Sequence, residues 1–382
     1  MDVNSSETAV KVIENHSNFT SLESLTNSTQ PVNRSSNGIP PEYVVFYNLA
    51  DDIYFYGLSV VIPFGLIGNF FSVCVFLLSS ILRRTTTGQF LVALAIADST
   101  LLVGDMMRWL AHQNTSKQHY VSTSLGLNIH DTSSAACKIT HFLRYGGGLC
   151  SVWLTIAIAV ERTLAVAFPL RISRISTLRR SRVAIFIITI ISFSSVLSVF
   201  FHFEINKPPC SYKENKESYN KWNIVVIRFG ALFIPGVLIF VLTIIINVLL
   251  CRARKKRISH LASNTLNGRQ QHLKPKISTE TQLTFMLVAV CVSTIALRAP
   301  YTIAHYFRIQ CWPPNDCSPL KHVQTFVAYR VTEVFNILNH AINFIMYCLC
   351  GSSFRRQIKM TVCHATSPEN CVRYRPATPE TL

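Results

Sequence analysis

The sequence predicts an all-α membrane protein, a seven-transmembrane helix bundle with a short amphipathic eighth helix. Three observations carry this expectation. The 382 residues are 49% hydrophobic and only 14% charged, where a soluble domain carries about 25% charge. The apolar residues fall into blocks at roughly 54–79, 88–111, 134–168, 181–203, 222–250, 277–309 and 321–349, each long enough to cross a hydrocarbon core about 30 Å thick. The basic residues behind the net charge of +17 cluster between those blocks. Topogenic charge and attraction to anionic membrane lipid explain them more simply than nucleic acid, which is not expected as a partner.

Residues 1–52 are polar, rich in Ser and Asn, and show no apolar h-region of a signal peptide. They carry N-x-S/T sequons at Asn4, Asn15, Asn18, Asn27 and Asn33, and Asn114 adds another between the second and third blocks. A disordered, glycosylated, extracellular N-terminus is expected. The bundle should occupy 53–350. Arg83 and Arg84 follow span one, five arginines lie in 168–182, six basic residues lie within 251–270 with two more at Lys274 and Lys276, and Arg355 and Arg356 follow span seven. All four groups fall on one side, so the positive-inside rule places the N-terminus outside and the C-terminus in the cytoplasm, in the plasma membrane. An amphipathic helix at 351–362 and a cytoplasmic tail at 363–382 complete the chain. Cys363, just past that helix, is either a palmitoylation site or a free thiol.

Span three has two chemically different ends. Glu161-Arg162-Thr163 lies 25 residues after Cys137, about 37 Å along a helix, which puts a cysteine at the oxidising face and an acid-base pair at the cytoplasmic one. Asp98 interrupts the apolar run of span two. A carboxylate at mid-membrane costs about 2.5–3.5 kcal/mol on insertion scales and needs partners or a cation. Asn69, Ser151, Asn339 and Asn343 lie at compatible depth. Two readings stand: a sodium site, or a purely protein hydrogen-bond network.

A second polar layer lies nearer the outside: Asp105, Arg108, His141, Arg144, Tyr145, Arg228, Arg298, Tyr301, His305, Arg330 and Glu333. It reads as a wet cavity for a charged ligand or as internal pairing, for example Asp105 with Arg144 and Glu333 with Arg298. Pro63, Pro235 and Pro300 interrupt apolar blocks, and Pro300 makes span six a candidate moving part. Of 12 cysteines, Cys137, Cys210, Cys311 and Cys317 fall outside. The arithmetic allows Cys137 with Cys210 and, separately, Cys311 with Cys317. No Walker loop, G-x-S-x-G, H-E-x-x-H or Rossmann fingerprint occurs, so an enzyme is not expected.

Gly68-Asn69, Leu94-Ala95-Ile96-Ala97-Asp98, Cys137, Glu161-Arg162-Thr163, Pro235, Pro300, Asn343-Phe-Ile-Met-Tyr347 and Gly351-Ser-Ser-Phe354-Arg355 occur in order. By these residues the chain resembles the rhodopsin-like (class A) G-protein-coupled receptors over residues 50–362. The resemblance implies a Cys137–Cys210 disulfide, and a sodium ion as allosteric cofactor among Asp98, Ser151, Asn339 and Asn343. It also implies a G-protein switch in which Glu161, Arg162 and Tyr347 act with Glu280, the acidic partner of Arg162. A heterotrimeric G protein is the implied partner, and the phosphorylatable tail adds arrestin. The sequence departs from the family pattern: Thr163 replaces tyrosine, Thr243 replaces tyrosine, and Arg298 stands where an aromatic toggle sits. Phe344 replaces the proline of the span-seven motif, so that helix should be straighter. Arg144 where aminergic receptors place aspartate argues against amines, and the lack of a span-seven retinal lysine argues against light. The chain is most similar to the peptide-receptor branch, in particular invertebrate neuropeptide receptors of the FMRFamide and myosuppressin type. The alternative is a class A receptor for a small anionic or lipid metabolite.

Overall fold

A backbone in lipid must satisfy its own N–H and C=O groups, so apolar blocks of this length become helices. A computed structural model describes residues 41–79, 82–111, 133–204, 210–212, 230, 233–266, 279–311, 317–351 and 354–360. The elements are α1 (Pro41–Leu78), a 3-10 turn (Leu82–Arg84) and α2 (Thr86–Ala111), then α3 (Ser134–Ala167), α4 (Ile172–Ile175), α5 (Leu178–Ser195) and α6 (Val199–His202). A two-stranded hairpin follows, β1 (Phe203–Glu204) with β2 (Ser211–Tyr212), antiparallel with Phe203 opposite Tyr212. The chain continues in α7 (Ile234–Leu266), α8 (Thr279–Gln310), α9 (Pro319–Ala341) and α10 (Asn343–Cys350). The last described helix, α11, spans 354–360. Six of these helices are long and apolar enough to cross a membrane. The seventh span, α9, carries Lys321 at its exposed start and holds Arg330 and Glu333 inside the bundle, as polar spans do.

Helix starts follow side-chain chemistry. Ser133, Thr177 and Ser318 each accept a hydrogen bond from a backbone N–H three residues on, and Pro319 opens α9. Such caps contribute about 1 kcal/mol each. α11 is amphipathic: Phe354 and Gln357 are buried while Arg355, Arg356 and Lys359 are exposed. Phe354 packs against Phe76 and Tyr347 at centroid distances of 5.2 and 5.5 Å.

Three boundaries differ from the sequence expectation. Residues 41–52, expected in a disordered N-terminus, form the first turns of α1, because tertiary contacts hold them. Tyr47 lies 4.4 Å from the Phe326 ring, its hydroxyl is 2.7 Å from His322 Nδ1, and Asp51 pairs with Arg330 at 3.4 Å. The basic segment from 251 onward, read as a connection between the fifth and sixth spans, instead continues α7 to Leu266. Span seven, expected to straighten without its proline, is interrupted at Ile342 (φ −88°, ψ −3°). Two side chains act there in place of proline: Asn69 Nδ2 donates to the His340 carbonyl at 3.1 Å, and Asn343 Nδ2 is drawn to Asp98 Oδ2 at 2.7 Å.

Cys137 and Cys210 are disulfide-bonded, as are Cys311 and Cys317. The first ties β2 to the buried start of α3, and Phe203 of β1 stacks on His141 with centroids 3.9 Å apart. The closest helix seam is α2 against α3. A Cβ on Gly104 would sit 2.8 Å from the backbone nitrogen of Arg144, and one on Gly147 2.7 Å from that of Leu101. Two glycines, one from each helix, therefore let the backbones touch. This seam sets Asp98 against Ser151 and Asp105 against Arg144.

Gly147→Ala should force the seam apart, at a cost of about 1–3 kcal/mol, read as a fall in Tm of roughly 2–8 °C. Gly236→Ala, which meets nothing within 4 Å, should leave Tm unchanged or slightly raised. Equal effects of the two would refute the close seam.

Candidate functional site: three polar layers in the bundle

The outer layer is a fused set of ion pairs. α2 supplies Asp105 and Arg108 one turn apart, α3 supplies Arg144, and α9 supplies Arg330 and Glu333. Arg144 Nε binds Asp105 Oδ1 at 2.6 Å, and its Nη2 binds Glu333 Oε1 at 3.0 Å. Arg108 Nη2 reaches the same Glu333 oxygen at 2.5 Å, Asp105 Oδ1 at 3.5 Å and the Tyr54 hydroxyl at 2.7 Å. Arg330 lies 3.7 Å from Glu333 and 3.4 Å from Asp51, with its guanidinium 4.5 Å above the Tyr54 ring. Glu333 and Asp105 are 0% and 1% exposed, so these contacts are made where water does not screen them. Glu333 thus takes Arg108, Arg144 and Arg330 as cationic partners, where the internal-pairing reading of the sequence offered Arg298 as an example. The Asp105–Arg144 pair forms as expected.

Above this set, Tyr145 lies under the Arg144 guanidinium at 5.5 Å and stacks on His141. Tyr301, His305 and Tyr329 form an aromatic triangle with centroids 5.5–5.8 Å apart. Arg308 Nη1 lies 3.0 Å from His322 Nε2 and its guanidinium 5.6 Å from the Phe326 ring. Sequence reasoning missed Asp51, Tyr54, His322, Arg308 and Tyr329. Asp51-Asp52 at the edge of an apolar block was the available signal. Arg298 is half-buried on α8, within electrostatic reach of Tyr301 and Asp98.

The middle layer surrounds Asp98, which has no exposed surface. Ser151 donates to Oδ1 at 2.5 Å, Asn343 donates to Oδ2 at 2.7 Å, and His340 Nδ1 lies 2.6 Å from Oδ1. Asn339 is buried close by in sequence on α9. His340 was missed: it sits between two asparagines that fitted the resemblance and drew the assignment to themselves. The donor set fits sodium poorly. A hard cation needs oxygen lone pairs at roughly 2–2.6 Å, and Asp98 meets three hydrogen donors instead.

The inner layer is the triplet at the foot of α3. Glu161 and Arg162 are 6% and 5% exposed and pair with each other at 3.4 Å. Glu161 also accepts from Thr86, from Thr87 at 3.1 Å and from Ser176 at 3.0 Å, while Arg162 donates to Thr87. Three hydroxyls, two from the start of α2 and one from the turn after α4, thus hold the acid. Glu280 lies in the first turn of α8, its side chain outside the described ones. Tyr347 is buried, edge-on to Phe76 at 5.7 Å. Arg228, Cys363 and the sequons at Asn4, Asn15, Asn18, Asn27, Asn33 and Asn114 lie outside the described residues.

Removing the hub of the outer layer takes one buried carboxylate from three guanidinium groups, Arg108, Arg144 and Arg330, and leaves Arg108 and Arg144 to share Asp105. Glu333→Ala should therefore destabilise the protein by about 3–5 kcal/mol, measured as a large fall in Tm of the purified protein. A Tm within a degree of the parent would rule out the fused ion-pair set.

Comparison with known proteins gives this architecture a family. The model of the 7 transmembrane receptor (rhodopsin family) matches residues 68–347. The chain is 26% identical over 338 residues to the thyrotropin-releasing hormone receptor of Gallus gallus, covering 81% of this chain and 78% of that one. It is 24% identical over 331 residues to the RYamide receptor of Tribolium castaneum, covering 80% and 79%. It is 21% identical over 316 residues to cysteinyl leukotriene receptor 1 of Sus scrofa, covering 81% and 84%. With a helical bundle, a loop disulfide-bonded to α3, a buried Asp98 and an acid-base pair at the foot of α3, and with the family's model matched over most of its length, the chain belongs to the rhodopsin family of seven-transmembrane receptors.

Proposed function

We propose that this chain is a neuropeptide-activated receptor of the plasma membrane, with its N-terminus outside and its C-terminus in the cytoplasm, signalling through heterotrimeric G proteins. The outer ion-pair layer carries the reading. Asp105, Arg108, Arg144 and Glu333 bring both signs of charge together, ringed by Tyr54, Tyr145, Tyr301 and Tyr329, beneath a hairpin bonded to α3. A peptide offers amide donors, acceptors and charged side chains of either sign, and can compete for each pair. Two of the relatives are, by name, receptors for a hormone and for RYamide. The orientation follows from the basic segments and from the disulfides, which belong on an oxidising face.

Activation on this reading is an exchange of partners. Ligand groups replace one side of the Glu333 and Asp105 pairs, which loosens the ties between α2, α3 and α9. The bias passes to the cytoplasmic end, where α8, which carries Pro300 inside the helix, moves away from the foot of α3. Arg162 then leaves Thr87 and Glu161 and meets the G protein, and the intracellular face opens to nucleotide exchange on that partner. Such a switch needs a two-state element that both ends bias.

A second reading, a receptor for a small anionic lipid metabolite, is favoured by the arginines of the layer and by the leukotriene receptor among the relatives. Transfected cells exposed to a library of amidated peptides and, in parallel, to acidic lipid metabolites separate the two by calcium or cAMP response. A peptide response is expected, and a response to acidic lipids alone would overturn the first reading. Arg162→Ala should abolish the response, or reduce it at least tenfold, while ligand binding persists.

A further inference from the structure

The Asp98 layer has one member that the function above does not use. His340 on α9 is 1% exposed, and its Nδ1 lies 2.6 Å from Asp98 Oδ1 and 3.3 Å from Ser151 Oγ. The same two oxygens lie 2.5 Å from each other. A monovalent cation bound here would have to bridge that carboxylate oxygen and that hydroxyl, and the imidazole nitrogen occupies the bridging position. We infer that His340 is the resident partner of Asp98 in this receptor, and that it takes the place of a sodium ion rather than sharing the site with one.

Hydrogen-bond accounting supports this. An ionised carboxylate only accepts, so with Asp98 ionised the His340 nitrogen facing it carries a hydrogen, whichever form the rest of the ring takes. Oδ1 then accepts from Ser151 and His340, and Oδ2 accepts from Asn343. Three donors satisfy the carboxylate without a metal. The position of His340 is itself constrained: its backbone carbonyl accepts from Asn69 Nδ2 at 3.1 Å, and Ile342 directly after Ala341 breaks the helix. Swinging the ring away to admit an ion would leave a buried imidazole to be re-paired, at a cost typical of unsatisfied buried polar groups. Arg298, within electrostatic reach of Asp98, adds positive field at the same carboxylate and disfavours a further cation.

The consequence is a core whose stability does not respond to sodium. The test compares Tm of the purified full-length protein in NaCl and in KCl at equal ionic strength, a readout independent of ligand identity and of G-protein coupling. The parent protein should show no difference between the salts. His340→Ser replaces the imidazole by a small oxygen ligand and should acquire a sodium-specific rise of about 2–4 °C, which Asp98→Asn in the same background should remove. His340→Asn provides the same oxygen chemistry if the serine variant does not fold. A sodium-specific rise in the parent that Asp98→Asn abolishes would overturn the inference. So would folded His340 variants that gain no sodium response.

Discussion

Asp98, Asp105 and Glu333 sit in the bundle with almost no exposure to water, and the need to neutralise each of them organises the rest of the molecule. A carboxylate in a dry interior is tolerable only with donors on every side. Each acid recruits those donors from other helices: Asp98 from α3, α9 and α10, Asp105 from α3, and Glu333 from α2 and α3. The ion pairs and hydrogen bonds are therefore also the cross-links between spans. In lipid, where apolar contact distinguishes helix from solvent only weakly, such polar cross-links set which helix faces which. Register and function share one set of atoms.

Much of this was legible in the sequence. Apolar block length gave the spans, and α1, α2, α3, α5 and α8 end within a few residues of a block edge at one or both ends. Asp98 and Asp105 are seven residues apart, as are Arg144 and Ser151, so each pair shares a helix face, and the structure joins Asp98 with Ser151 and Asp105 with Arg144. What stayed hidden depends on partners far apart in the chain. The helical start at Pro41 needs Phe326, His322 and Arg330, none of which any local pattern ties to residue 47 or 51. His340 looked like one more polar residue on a polar span, because only depth and rotation relative to Asp98 distinguish it from Asn339. The interruption at Ile342 was hidden for a related reason: proline is the familiar local cause of a break, while here Asn69 of α1 binds the His340 carbonyl and the Asn343 side chain is drawn to Asp98 of α2.

The foot of α3 shows the same logic with weaker groups. Glu161 is held by three hydroxyls as well as by its neighbour Arg162. Its charge is thus distributed over the start of α2 and the turn after α4, and Arg162 is not its sole counter-group. On the proposed activation the acid would remain paired once the arginine departs, which lowers the barrier to that departure compared with an isolated ion pair. Ser176 makes the turn after α4 a direct participant, so the connection between α3 and α5 is tied to the triplet.

The glycine contacts between α2 and α3 carry a consequence for motion. With backbone against backbone at Gly104 and Gly147, neither helix can slide or rotate past the other without a main-chain collision. The pair behaves as a stator, a fixed frame whose two backbones keep their separation along the seam even where a ligand exchanges the side-chain partners of Asp105. Displacement must be taken up by the spans that have looser neighbours. Here α7 and α8 bury far less of their surface within the protein than α3 does, and Gly236 on α7 faces open space. The work of a bound ligand is thereby directed away from the seam itself.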